Sequence, residues 1–255
     1  MRATVAALSI VAALGACRSQ PFGAAPSPAP PAPAPVAAAA PVVHDPAHPP
    51  IDCPLRKQGI VTRDMKPFEQ VEKYIEFLER ADRAAWQKPD AVVAALDLKG
   101  DETVADVGAG SGYFTFRFAR ALPLGRVSAI DLEPEMLWHV HHKAMAEGLK
   151  NVDVVAAAPD DPKVPPGTDL AFVCDVLHHV QDPKAWLARL ASELKAGARL
   201  VLVEFKEGEL PEGPPAAMKI PKADLRALAE GAGFRLVADQ DALLPYQTFL
   251  VFERR

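Results

Sequence analysis

From Thr103 onward, short apolar runs alternate with longer segments whose apolar residues recur three and four positions apart. "TVADV", "RVSAID", "VDVVAAA", "DLAFVCDV" and "RLVLVEF" are runs of the first kind and read as buried strands. "YFTFRFARAL", "PEMLWHVHHKAMAEG" and "DPKAWLARLASELKAG" lie between them and read as helices. Pro134 opens the second of these and Gly148 closes it; Asp182 as N-cap, Pro183 in the first turn and Gly197 at the end bound the third. "KADLRALAEGAGF" predicts one more helix, and "RLVADQ" and "YQTFLVFE" two closing strands. Strands alternating with helices imply βαβ units. "DALLP", between the last two strands, is too short for a parallel crossover, so those strands pair antiparallel. The expected fold is α/β, a mostly parallel seven-stranded sheet with an antiparallel C-terminal strand and helices on both faces. Upstream, "KPFEQVEKYIEFLERADRAAW" sets Val71, Tyr74, Ile75 and Leu78 on one face of a helix, and "KPDAVVAALDL" predicts a second, short helix with Pro89 near its start.

The first fifty residues break this pattern. One Arg precedes an apolar run from Ala3 to Leu14, too short to span a bilayer and suited to a signal-peptide core. It ends in "LGAC", which resembles the lipobox of bacterial lipoproteins, with Cys17 as the lipidated first residue of the mature chain. Eleven of the 26 prolines then fall between Pro21 and Pro50, a composition that favours extended polyproline II at about 3.1 Å per residue and builds no core. The expected organisation is a signal peptide over 1–16, a lipidated cysteine and Pro/Ala-rich tether over 17–63, and a folded domain with an N-terminal helical cap over 64–255. The implied place is outside the cytoplasm, anchored by lipid in the bacterial envelope; Arg18 after the lipidated cysteine favours the periplasmic face of the outer membrane. A start at Met65 would instead leave a cytoplasmic domain. The formal net charge is −5 with no basic run, which disfavours nucleic acid as a partner. Of three cysteines one is the lipidation candidate and one lies in the tether, so there is no disulfide framework.

The chemistry starts at "VADVGAGSGYFTFRFA". Asp106 ends a strand, and Gly108, Gly110 and Gly112 follow at alternate positions before a helix, the place where open α/β sheets bind ligands. A dinucleotide fingerprint needs its third glycine one residue later, and a carboxylate two residues before the first glycine suits a cationic ligand better than a pyrophosphate. Asp-x-Gly-x-Gly-x-Gly after a strand resembles motif I of class I S-adenosylmethionine-dependent methyltransferases, which have a Rossmann-like fold. The resemblance implies S-adenosyl-L-methionine as cofactor, glycines 108, 110 and 112 beside it, and Asp106 near its amino-acid end. It further implies Asp131, in "VSAIDLEPEML", on the ribose hydroxyls, which a carboxylate can accept together, and Leu132 near the adenine. "DLAFVCDVLHHVQDP" is similar to the family's fourth strand and following motif, and "LKAGARLVLVEF" to its lead into strand five. The match is nearest the ubiquinone/menaquinone-methyltransferase-like branch. Where the family carries an acid near the adenine after strand three, this chain has "AAAPDDP", with Asp160 as the candidate.

Methyl transfer from a sulfonium asks the protein for proximity and alignment, and for a base only where the acceptor must lose a proton. Asp175, His178 and His179, after the fourth strand, are the catalytic candidates; histidine titrates near neutrality. Trp86 and Gln87 are candidates to lie over the cofactor, and Glu204, ending strand five, to face the substrate. Cys174 reads as a small buried strand residue. His139, His141 and His142 have no evident third ligand at helical spacing, so no metal is expected and the face is expected to be solvated. The expected partner is a small-molecule methyl acceptor; the oligomeric state is not legible. Two other readings stay open: a non-catalytic envelope lipoprotein binding a nucleoside-like ligand, and a nicotinamide-dependent oxidoreductase.

Overall fold

The computed structural model describes residues 53–60 and 68–255, so the expected signal peptide, Cys17 and most of the expected tether lie outside the described residues. The strands are β1 (Thr103–Val107), β2 (Arg126–Asp131), β3 (Val152–Ala156), β4 (Leu170–Cys174), β5 (Arg199–Phe205), β6 (Phe234–Asp239) and β7 (Gln247–Arg254). They form one sheet in the order β3-β2-β1-β4-β5-β7-β6. Strands β1 to β5 pair in parallel, and β7 enters antiparallel between β5 and β6. The seven strands and the antiparallel closure agree with the alternation in the sequence. Strand order reverses between β1 and β4, which leaves a crevice at their carboxyl ends.

The period of two along each strand divides the core. Ala171 and Val173 of β4, with Leu200 and Leu202 of β5, pack with Trp186, Leu187 and Leu190 of α7 (Pro183–Glu193) and Leu225 of α8 (Lys222–Gly231). Leu170, Phe172, Val201 and Val203 point the other way, onto Val92 of α4 (Pro89–Ala95) and Phe114, Phe118 and Leu122 in and around α5 (Thr115–Ala121). Near β2 and β3, Leu137, Val140 and Ala144 of α6 (Pro134–Ala146) complete the covering layer. Asp182 caps α7 as expected, accepting from the Ala185 N–H at 3.0 Å.

Two expectations shift. Cys53 and Leu55, at and in α1 (Pro54–Lys57), are 2% and 3% exposed and pack against Phe116, Leu137 and Val154. The Gln58 amide donates to Val154 O at 2.8 Å and accepts from Ala156 N at 2.7 Å, closing the β3 edge. Residues 53–60 therefore join the domain, upstream of the expected boundary at 64. The single helix read over Lys66–Trp86 is two: α2 (Phe68–Leu78) and α3 (Arg83–Gln87). The bend seats Trp86 against Phe205 and Tyr246, with ring centroids 5.7 and 6.2 Å away, and that burial outweighs helix continuity. Among the described residues no helix is long and apolar enough to cross a membrane.

Candidate active site

The reversal of strand order opens into a cleft of about 990 Å³. The loop after β1 forms its floor. Gly108, Gly110 and Gly112 all have positive φ (73°, 53° and 82°). A Cβ on Gly108 would collide with Cγ2 of Val176, and one on Gly112 would lie 2.5 Å from the Phe116 ring. Bare backbone at these two positions thus serves protein packing, of the β4 loop on the β1 loop and of the loop on its own helix. Gly110 faces Leu78 of α2, 3.3 Å from where its Cβ would stand.

Asp106 lies under this loop, 3% exposed, and accepts the Thr115 hydroxyl at 2.6 Å. Burial pushes its pKa up to about 7. Asp131, ending β2, accepts Gly110 N–H on one oxygen at 2.8 Å and Glu133 N–H on the other at 2.9 Å. Burial raises its pKa as well. These bonds brace the glycine loop against β2 and leave each carboxylate oxygen a further acceptor site. Leu132, 51% exposed, forms cleft wall. Asp160 stands exposed on the rim, in the tight turn that Ala158 and Asp161 close.

The segment after β4 faces the loop. His178 Nδ1 donates to Glu204 Oε2 at 2.7 Å, and Oε1 of Glu204 accepts Val176 N–H and Leu177 N–H at 2.9 and 2.6 Å. Glu204 is 1% exposed. Burial by itself lowers the His178 pKa, but Glu204 and then Asp175 overcome it and the net shift is upward. His179, exposed with its ring 4.1 Å from that of His178, has its pKa lowered by burial and by the His178 charge. Asp175 sits at φ 59°, a strained position for a side chain other than glycine. Gln247 Nε2 donates to both its oxygens, at 2.7 and 2.8 Å, and Gln87 Nε2 to one at 3.2 Å. Burial, then the Glu204 charge, pushes the Asp175 pKa up to about 6. Cys174 accepts a contact from Gln87 Nε2 at 3.2 Å, and burial drives its thiol well above the usual range.

The cap supplies the outer wall. Tyr74, Phe77 and Leu78 of α2, Arg83 and Trp86 of α3, and Gly213 and Pro214 of the loop after β5 line the cleft. Tyr74, read as part of an apolar face, is 51% exposed and Phe77 57%, because both border the opening. In the turn between α2 and α3, Arg80 pairs with Glu212 of the post-β5 loop and Glu79 pairs with Lys143 of α6 at 2.8 Å. The histidine face of α6 is not solvated as expected. His142 is 8% exposed and donates to the Trp138 carbonyl at 2.8 Å, and burial lowers the His139 pKa. Glu79, just after α2, lies 4.0 Å from His139, and the Trp138 ring lies 4.2 Å from that of His142; among the described residues no three metal-ligating side chains are grouped.

Sequence reasoning missed Gln247, Arg83 and Tyr113. A glutamine that opens an otherwise apolar terminal strand was the one available signal, for Gln247.

Residues 105–200 match the methyltransferase domain family. The malonyl-[acyl-carrier protein] O-methyltransferase of Hahella chejuensis is 32% identical over 102 residues, 39% of this chain and 35% of that protein. The tRNA U34 carboxymethyltransferase of Ruthia magnifica is 31% identical over 149 residues, 53% of this chain and 46% of that protein. The matched part thus spans less than half the length of either curated relative. A solved S-adenosylmethionine-dependent methyltransferase from Aquifex aeolicus superposes with a TM-score of 0.66 at 26% identity, over 71% of this chain and 96% of that one. The matched stretch contains the glycine loop, Asp106, Asp131 and the post-β4 segment, while Glu204, Gln247 and the α2–α3 cap lie outside it.

Proposed function

We propose that this chain is an S-adenosylmethionine-dependent methyltransferase acting on a small-molecule acceptor. One observation carries the reading: a single cleft is lined both by a glycine loop braced by Asp131 and by His178, which pairs with the buried Glu204 behind it. The residues fit the donor. Asp131 keeps acceptor capacity on both oxygens for a vicinal diol, and the Ser111 hydroxyl, 1% exposed in the loop, has no partner among the described residues. Asp106, Gly108, Gly110, Gly112, Asp131, Leu132 and Asp160 would hold it.

When bound, the donor supplies a methyl group already activated on sulfonium. The chain's part is alignment and proton removal. Glu204 fixes the His178 tautomer with Nδ1–H donating, which leaves Nε2 to take a proton from an acceptor hydroxyl. His179 pairs with no carboxylate among the described residues and is the weaker base candidate. Asp175, its oxygens engaged by Gln247 and Gln87, acts as a positioning residue.

About 990 Å³ is at the top of the roughly 300–1,000 Å³ range of small-molecule pockets, room for a donor and an acceptor together. A relative named for tRNA makes RNA the competing acceptor; the net charge of −5 favours a small molecule. The stretch from Asp175 to Pro183 supports the finer reading, the ubiquinone/menaquinone-methyltransferase-like branch. The run Ala3–Leu14, "LGAC" and the Pro/Ala-rich stretch support lipidation at Cys17 and an envelope location. Mass spectrometry of the mature N-terminus tests that part, and an unacylated N-terminus near Met65 refutes it.

Calorimetry on the full chain should show binding of S-adenosylhomocysteine, and Asp131→Ala should weaken it by about 1–3 kcal/mol, the scale of a lost charge-assisted hydrogen bond. Labelled methyl groups should pass to small molecules in an extract. Tight NADH binding with none for S-adenosylhomocysteine overturns the donor; label in RNA alone overturns the acceptor class; binding without any transfer favours a non-catalytic role.

A further inference from the structure

Gln247 opens β7 and is fully buried. Because β7 runs antiparallel to β5, its first residue stands opposite Phe205, at the carboxyl end of the parallel strands. There its Nε2 donates to Asp175 Oδ1 at 2.7 Å and to Oδ2 at 2.8 Å. Gln87 of α3, equally buried, adds a donation to Oδ2 at 3.2 Å and turns its own Oε1 to Arg83. Two buried glutamines, from opposite ends of the domain's sequence, thus aim donors at one carboxyl that lines the cleft.

The two ends of the Gln247 amide are not equivalent. Nε2 only donates and Oε1 only accepts, while an ionised carboxylate only accepts. Oε1 is buried and makes no hydrogen bond among the described residues. A buried acceptor without a donor costs stability, and the charge-assisted bonds from Nε2 offset that cost. A protonated Asp175 would favour the opposite arrangement, its O–H donating to Oε1 after a half-turn of the amide. The arrangement present is the one that suits the anion.

Asp175 faces charges of both signs. Glu204 of β5 opposes its ionisation, while Arg83 of α3 and His178 favour it, and the pKa stands at about 6. Cys174 beside it is held as the neutral thiol by burial, with Asp106 of β1 also within electrostatic reach of that sulfur. In return Asp175 acts with Glu204 to raise the His178 pKa. Asp175 also sets the backbone turn that presents His178. Its N–H donates to Val203 O at 2.8 Å, and at φ 59° the chain leaves β4 for the short turn Leu177–His179.

We propose that Gln247 is a positioning residue for methyl transfer: with its N–H end on Asp175 it holds that carboxyl as the anion, so that His178 works beside two negative charges, on Glu204 and on Asp175. The role rests on the His178 reading above and brings in a residue outside the matched stretch.

The test follows the His178 ring by NMR from about pH 4 to 9 in the full chain, with His178→Gln to assign its signals among the seven histidines. Gln247→Met, of similar length and without donors, lets Asp175 take up a proton at higher pH and should lower the His178 midpoint by about half a pH unit or more. Asp175→Asn, which tolerates positive φ, should lower it at least as far. Adding Gln247→Met to Asp175→Asn should then change nothing further, since the charge it acts on is gone. An unmoved midpoint in Gln247→Met, or an equal drop in the asparagine background, means that Gln247 only packs, and either overturns the role. Gln247→Leu carries the same comparison if the methionine variant does not fold. Transfer of labelled methyl groups to small molecules in an extract supplies the second readout: its acid limb should move to lower pH with the midpoint. A limb that stays while the midpoint moves refutes His178 as the base and takes the role with it, whereas a failure confined to the NMR comparison leaves that base standing.

Discussion

Replacing Gly108 by Ala separates two costs that the glycine loop avoids. The first is conformational. At φ 73° a Cβ meets the following carbonyl, which costs about 1–2 kcal/mol, offset by roughly 0.4–1 kcal/mol because Ala restricts the unfolded chain. The second is packing. The new methyl would overlap Cγ2 of Val176, with Cγ1 and Cβ of the same residue at 3.4 and 3.5 Å. Val176 is β-branched and stiff about χ1, so relief requires the post-β4 backbone to move, at about 1–3 kcal/mol. The sum is about 1–5 kcal/mol, a large part of a typical stability of roughly 5–15 kcal/mol. Gly148, at φ 70° with nothing within 4 Å of its Cβ position, carries the first cost alone, so Gly148→Ala should cost about 1 kcal/mol or less. Urea unfolding followed by circular dichroism measures both variants, provided the m-value stays constant. Adding Val176→Ala to Gly108→Ala should recover the packing part and leave the φ strain. If Gly108→Ala costs no more than Gly148→Ala, or if Val176→Ala recovers nothing, the glycine is not there for the β4 loop and the argument fails.

Other outcomes follow from the buried charges. Because Glu204 raises the folded pKa of His178, the stability their pair adds is fully present below the unfolded histidine value of about 6.5 and is lost as pH rises through the folded value; Glu204→Gln should therefore cost more at pH 6 than at pH 9, and a difference independent of pH would contradict the pairing. Methyl transfer that uses neutral His178 should show an acid limb above the usual histidine pKa, which Glu204→Gln moves to lower pH while slowing the reaction; an unmoved limb would exclude His178 as the titrating base. Asp106, raised to about 7 by burial, favours the fold fully below the unfolded value of about 3.9 and loses that contribution as pH rises through 7. Asp106→Asn should accordingly gain stability relative to wild type at pH 8 and not at pH 4, as read by thermal unfolding at the two values.

The chain's own pattern determined the elements and their faces. Alternation along "LAFVC" and "RLVLVEF" fixed which residues point to α7 and α8 and which to α4 and α5, because successive side chains of a strand point to opposite faces. The short link "DALLP" fixed the antiparallel closure. The glycine spacing and Asp131 were legible because a strand, a tight loop and a helix follow one another in sequence. Tertiary structure alone decided what those residues meet. Gln247 reaches Asp175 across 72 positions because β7 runs back beside β5, where its register sets Gln247 opposite Phe205. Glu204 reaches His178 because β4 and β5 are neighbours. The bend between α2 and α3 and the seating of Cys53 and Leu55 on α6 and β3 both follow from which surfaces the finished sheet leaves uncovered. Local periodicity encodes which face of an element is apolar. It carries no information on which distant polar groups that face will bring together, since that depends on strand order, and strand order is settled only when the whole core is buried.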